Sequence, residues 1–179
     1  MKLGISLLLF VLFAAFSVSV KNQLRKETSP LEALALGSLM PSFTLEDTHG
    51  NSVKFEAGPQ TNKLTLINFW ATWCGPCRME MPSFERIYSA KQKEGFLILA
   101  VNEDEKRSEL DTYLAKKPVT FPILLDPEGK VEKQLKIRAF PTSILVDAEG
   151  KILKVTEGLE PYLQFVIEGF LGTGDSHSG

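Results

Sequence analysis

The sequence predicts an α/β fold, a mixed central β-sheet with helices packed on both faces. Three observations carry this. The runs Leu64–Trp70 and Phe96–Val101 are largely apolar, as strands covered on both faces are. Stretches with apolar residues at helical spacing alternate with those runs. Two strand-like runs then flank Asp147-Ala148-Glu149-Gly150, a hairpin turn signal, so part of the sheet is antiparallel.

The chain opens with Met1-Lys2, and Leu3 to Val20 is apolar apart from Gly4, Ser6, Ser17 and Ser19. A basic start before such a run marks a secretory signal peptide or a short membrane anchor, 1–20, at the short edge of the roughly 17–25 residues that span a bilayer. Ser17-Val18-Ser19 is a weak small-x-small cleavage site, and no cysteine follows to carry a lipid. Lys21, Arg25 and Lys26 run against the usual placement of positive charge. Export machinery reads the basic start and apolar core first, so the extracytoplasmic side of a bacterial cytoplasmic membrane is expected. Residues 21–35 read as a linker, 36–171 as the folded domain, and 172–179 as a disordered polar tail.

Within the domain, Phe43–Glu46 and Ser52–Phe55 flank a turn and predict an amino-terminal hairpin. Leu64–Trp70 is a buried central strand. Cys77–Lys93 reads as a helix with Met81, Phe84, Ile87 and Tyr88 on one side, bent by Pro82 and ended by Gly95. Phe96–Val101 is the next strand. Ser108–Lys116 is a helix with Leu110, Tyr113 and Leu114 inward, and Phe121–Leu125 a short strand. Pro127–Lys133 forms a turn and short helix. Ser143–Val146 and Lys151–Thr156 make the closing hairpin, and Leu159–Leu171 a final amphipathic helix.

Both cysteines of the chain stand in Trp73-Cys74-Gly75-Pro76-Cys77, between a strand and a helix. A loop this short restrains little unfolded-chain entropy, so the pair suits making and breaking a bond. Cys74 falls at the helix start, where free N–H groups and the positive dipole end stabilise a thiolate. The thiolate is the attacking species, which makes Cys74 the nucleophile. Pro76 fits the first turn, where a missing N–H costs nothing. Gly75 permits close approach of a partner chain. Cys77, a turn further in, is the resolving cysteine. Half a zinc site is the competing reading. It lacks two ligands, because His49 sits in a turn and His177 in the tail, so no metal is expected.

The segment Phe69-Trp70-Ala71-Thr72-Trp73-Cys74-Gly75-Pro76-Cys77 resembles the active-site segment of the thioredoxin superfamily, and Ala139-Phe140-Pro141-Thr142 resembles its proline loop. The resemblance covers about Leu36 to Leu171 and implies a thioredoxin-like three-layer sandwich. It implies that Pro141 is cis and packs beside the dithiol, and that Phe140 pairs with a substrate strand, with Trp73, Gly75 and Pro76 completing the groove. The amino-terminal hairpin and the helix–strand insertion Ser108–Leu125 resemble membrane-tethered thiol–disulfide reductases of cytochrome c maturation. Those have a glutamate where Glu80 stands, in a run like Cys77-Arg78-Met79-Glu80-Met81-Pro82, and the resemblance implies a role in proton handling or thiol tuning. The plain alternative is a solvated helix glutamate. Asn68 stands where general thioredoxins have a buried aspartate, and an amide cannot titrate.

The expected activity is protein disulfide oxidoreduction by dithiol exchange, with no cofactor beyond the Cys74–Cys77 disulfide. The expected partners are disulfide-containing proteins such as apocytochrome c and a membrane thiol electron donor, with the chain a monomer. A thiol oxidase, a broad-specificity reductase and a binding module with an idle dithiol are the alternatives. Peroxidase chemistry is disfavoured, because the Pro-x-x-x-Thr-x-x-Cys context is absent before Cys74. A formal charge of −2 without a broad basic patch argues against nucleic acid.

Overall fold

The computed structural model describes residues 34–173. The expected anchor or signal segment, linker residues 21–33 and tail residues 174–179, with His177, lie outside them. Among the described residues, one sheet runs through β1 (Phe43–Asp47), β2 (Ser52–Phe55), β3 (Leu64–Trp70), β4 (Phe96–Asn102), β5 (Ile123–Leu125), β6 (Thr142–Asp147) and β7 (Ile152–Glu157). Their order is β2-β1-β5-β4-β3-β6-β7. β4 is parallel to both β3 and β5. The remaining neighbours are antiparallel, so the sheet is mixed as the sequence predicts.

The four helices described are α1 (Gly75–Lys91), α2 (Arg107–Lys116), α3 (Lys130–Leu135) and α4 (Leu163–Thr173). Side-chain alternation in the central strands divides the core. Leu64, Leu66 and Trp70 of β3 and Phe96, Ile98 and Ala100 of β4 pack with Met81, Phe84 and Ile87 of α1, Leu110 of α2, and Leu163 and Ile167 of α4. Ile67, Phe69, Leu99 and Val101 face the other way, towards Val131 and Leu135 of α3 and towards Met40, Phe43 and Phe55. Both faces of the sheet are thus covered, which is why β3 is buried at every position.

The insertion does more than lengthen a loop. Its strand β5 pairs with β4 on one side and with β1 on the other. It therefore joins the amino-terminal hairpin to the central strands.

Several boundaries differ from expectation, each for a local reason. Helix α1 starts at Gly75 rather than Cys77, because Cys74 caps it and Pro76 fits the first turn. It runs through Pro82 to Lys91, and a 3₁₀ turn, Gln92–Glu94, leads to Gly95 at φ 94°, a conformation glycine adopts without a Cβ penalty. Strand β5 omits Phe121 and Pro122. Helix α3 begins at Lys130, where the Asp126 carboxylate accepts the N–H groups of Lys130, Val131 and Glu132. Helix α4 begins at Leu163, after a turn in which the Leu163 N–H donates to the Glu160 carbonyl.

Candidate active site

Strand β3 ends at Trp70 and α1 begins at Gly75, so residues 71–74 form a turn at the carboxyl end of the central parallel strands. The Cys74 N–H donates to the Ala71 carbonyl at 3.2 Å. Cys74 is the N-cap of α1, in extended conformation at φ −79° and ψ 108°. Its Sγ accepts the Cys77 N–H at 3.2 Å. A sulfur so placed takes one of the orphan donors of the helix start, the arrangement that favours a thiolate. The two sulfurs are bonded, with S–S 2.00 Å and Cα atoms 5.3 Å apart. Cys74 is 5 % exposed and Cys77 1 %. Trp73, immediately before, is 63 % exposed. A Cβ added to Gly75 would meet nothing within 4 Å, so the flank there is open.

The register of β6 on β3 brings the second motif to the same place. Thr142 lies opposite Phe69. Pro141, one residue earlier, therefore stands level with the start of the cysteine turn. The Phe140–Pro141 peptide bond is cis, and Pro141 is buried. The Phe140 ring meets Trp73 edge-on, with centroids 5.7 Å apart. Trp73, Cys74, Phe140 and Pro141 thus come from two distant stretches of chain to one site.

Glu80 is buried on α1, 5 % exposed. It forms no ion pair among the described residues, which removes the solvated-helix alternative. Oε1 accepts the Glu160 N–H at 3.0 Å, tying α1 to the turn before α4. Oε2 is buried without a partner. Burial raises its pKa from 4.5 to about 7; the Glu160 amide pulls it down and the Glu160 charge adds a smaller push upward. A carboxyl poised near neutrality, one turn beyond Cys77, can hold or release a proton in the range where thiols exchange.

Asn68 shares the strand parity of Leu66 and Trp70, on the sheet face that carries α1. Its amide donates to the Ser143 Oγ at 3.0 Å across the β3–β6 pair. Its partner is thus a side chain on the neighbouring strand, at the in-register position.

Sequence reasoning missed the residues that hold the turn. The Asp104 carboxylate accepts the Thr72 N–H at 3.0 and 3.1 Å, the Thr72 hydroxyl at 3.0 Å and the Asn102 amide at 2.9 Å. The Glu103 N–H donates to the Trp70 carbonyl at 2.9 Å. The Glu103 carboxyl is pushed up to about 9 by burial first and then by Asp126 and Glu132, with Lys133 opposing. The run Asn102-Glu103-Asp104-Glu105 carries no motif in the sequence, and its place at the edge where the cysteines sit follows from the register of β4 on β3.

No group of three or more His, Cys, Asp or Glu residues able to hold a metal ion occurs among the described residues. The redox centre is the disulfide itself.

Comparison with known proteins agrees with this geometry. The Redoxin family model matches residues 35–162. The thiol-disulfide oxidoreductase ResA of Geobacillus thermodenitrificans is 33 % identical over 153 residues, covering 86 % of this chain and 85 % of the relative. ResA of Bacillus subtilis is 32 % identical over 151 residues, covering 84 % and 82 %. Among solved structures, a candidate thiol:disulfide interchange protein, DsbE, from Chlorobium tepidum superposes with a TM-score of 0.69 at 30 % identity, over 78 % of this chain and 97 % of that one. An exchangeable disulfide capping a helix, a cis-proline loop beside it and these likenesses together place the chain in the Redoxin family of the thioredoxin superfamily, as a disulfide oxidoreductase of the ResA and DsbE kind whose redox centre is Cys74–Cys77.

Proposed function

We propose that the protein is an extracytoplasmic reductase of protein disulfides, with those of apocytochrome c as its clients, and that a membrane thiol donor keeps it reduced. The observation that carries this is the placement of Cys74 as the cap of α1, with Cys77 one turn deeper. The likeness to ResA and DsbE supports the direction of exchange, and the apolar stretch Leu3–Val20 supports the compartment. The cytochrome assignment rests on the resemblance of the run around Glu80.

In the reduced protein the Cys74 thiolate attacks one sulfur of the client disulfide. The client S–S bond breaks, a mixed disulfide forms, and the departing client thiolate takes a proton. The Cys77 thiolate then attacks the Cys74 Sγ and releases the second client thiolate, which also takes a proton. The client gains two electrons and two protons, and the protein is left as the Cys74–Cys77 disulfide. Asn68 cannot accept the Cys77 proton, so Glu80 or water takes it. Trp73, Gly75 and Pro76 line the client's path, and Phe140 offers its backbone to the client strand beside Pro141.

The reduction potential tests the direction. A value near that of thioredoxin, about −270 mV, is expected; one near about −120 mV would make the protein an oxidase instead.

A further inference from the structure

A groove of about 750 Å³ runs between α1 and α2 and reaches Thr72 and Gly75, on either side of Cys74. Its walls carry Arg78 from α1 and Lys116 and Lys117 from the end of α2. All three are exposed, and none forms an ion pair among the described residues. The one acid on the lining, Glu109, lies 3.9 Å from Lys106. The whole chain carries −2, so this cluster runs against the charge of the molecule.

Helix stability explains only part of it. Lys116 and Lys117 stand at the carboxyl end of α2, where the dipole favours cations. Arg78 stands near the amino end of α1, where the dipole disfavours one, and no acid occupies that first turn. Met79, beside Arg78, is 68 % exposed and adds apolar surface to the same wall. The Tyr113 hydroxyl, at the groove, is buried without a partner.

We propose that this groove binds an acidic stretch of client polypeptide flanking the disulfide under attack. The proposal rests on the reductase reading and adds the client's charge to it. A chain lying there has its carboxylates against Arg78, Lys116 and Lys117 and its apolar side chains against Met79. Its cysteine then reaches Cys74 past the open flank at Gly75. Exposed charge pairs contribute little singly, but two or three acting on one docking step change its rate measurably.

The test is single-turnover reduction by the full chain, reduced beforehand, of three disulfide peptides that differ only in acidic, neutral or basic flanks. At low salt the acidic peptide is expected to react roughly three- to tenfold faster than the basic one. The difference is expected to shrink towards parity near 1 M salt, where the screening length is about 3 Å. K116E/K117E is expected to reverse the order. Arg78 is left intact because it stands in the first turn of α1, which Cys74 caps, so its loss would not separate docking from thiol chemistry. Equal rates for the three peptides at low salt overturn the proposal while leaving the reductase intact. If K116E/K117E folds and keeps the acidic preference, the groove is overturned as its source. If no peptide is reduced, the reductase reading falls, and the proposal with it.

Discussion

Asp104 holds Thr72 from 32 residues away along the chain, through both the backbone N–H and the hydroxyl of the threonine. Thr72 lies two positions before Cys74, in the turn closed by the bond from the Cys74 N–H to the Ala71 carbonyl. The carboxylate just beyond the end of β4 thus fixes the turn that presents the sulfur to the start of α1.

D104A leaves the two Thr72 donors and the Asn102 amide without their acceptor. A destabilisation of about 1–3 kcal/mol is expected, read from the denaturant midpoint. The turn also loosens, so Cys74 in the reduced variant is expected to alkylate more slowly at neutral pH. D104N keeps an acceptor oxygen for Thr72 and is expected to lie between the two. Alkylation rates equal to wild type in a destabilised D104A would confine Asp104 to a structural part.

C77A removes the deeper thiol, the one proposed to resolve the mixed disulfide, and is expected to accumulate mixed disulfides through Cys74. C74A is expected to form few, since Cys77 is 1 % exposed beneath the cap. Mass spectrometry of adducts with a disulfide peptide decides it. Adducts carried by Cys77 alone would reverse the two roles.

The contrast between Cys74 and Asp104 shows what one sequence discloses. The disulfide, its proline loop and the alternation of strands and helices are written in contiguous patterns: an apolar run, a Cys-x-x-Cys, a Phe-Pro-Thr before a strand. The mixed sheet follows from them. The supports are not contiguous. Asp104 meets Thr72, Asn68 meets Ser143 and Glu80 meets the Glu160 N–H only because the register of three strands and the return of the chain before α4 bring them together. Their residue types, an acid after a strand or an amide within one, fit solvated or structural positions equally well until the fold is known. The resemblance singled out Glu80; nothing in the sequence singled out Asp104 or Glu103.

Glu103 carries a prediction of its own. Its folded pKa, about 9, lies above the ordinary 4.5, so the folded state keeps a proton that the unfolded chain releases. The associated stability is present in full below about pH 4.5 and is lost as pH rises through about 9. E103Q cannot lose that proton. Its stability relative to wild type is expected to rise steadily between pH 5 and pH 9, measured by denaturant unfolding of the oxidised proteins. Parallel pH profiles would show Glu103 ionised in the fold, with its charge balanced by Lys133.

Glu80 is buried and proposed to take the Cys77 proton, and E80Q tests its stability and chemical parts separately. Its folded pKa of about 7 also lies above the ordinary 4.5, with burial as the main cause. Stability from the protonated form is full below about pH 4.5 and lost as pH rises through about 7. Glutamine can still accept the Glu160 N–H and never ionises, so E80Q is expected to gain on wild type between pH 5 and pH 8. If, as proposed, the same carboxyl exchanges protons with the thiols of the reduced protein, the group titrates with macroscopic pKa values that belong to no single residue. Once ionised, Glu80 opposes formation of a nearby thiolate. E80Q is therefore expected to lower the apparent pKa of Cys74 and to reduce its alkylation profile to a single step. Superimposable thiol titrations, alongside an altered stability profile, would leave Glu80 as a buried clip between α1 and residue 160 with no part in proton transfer.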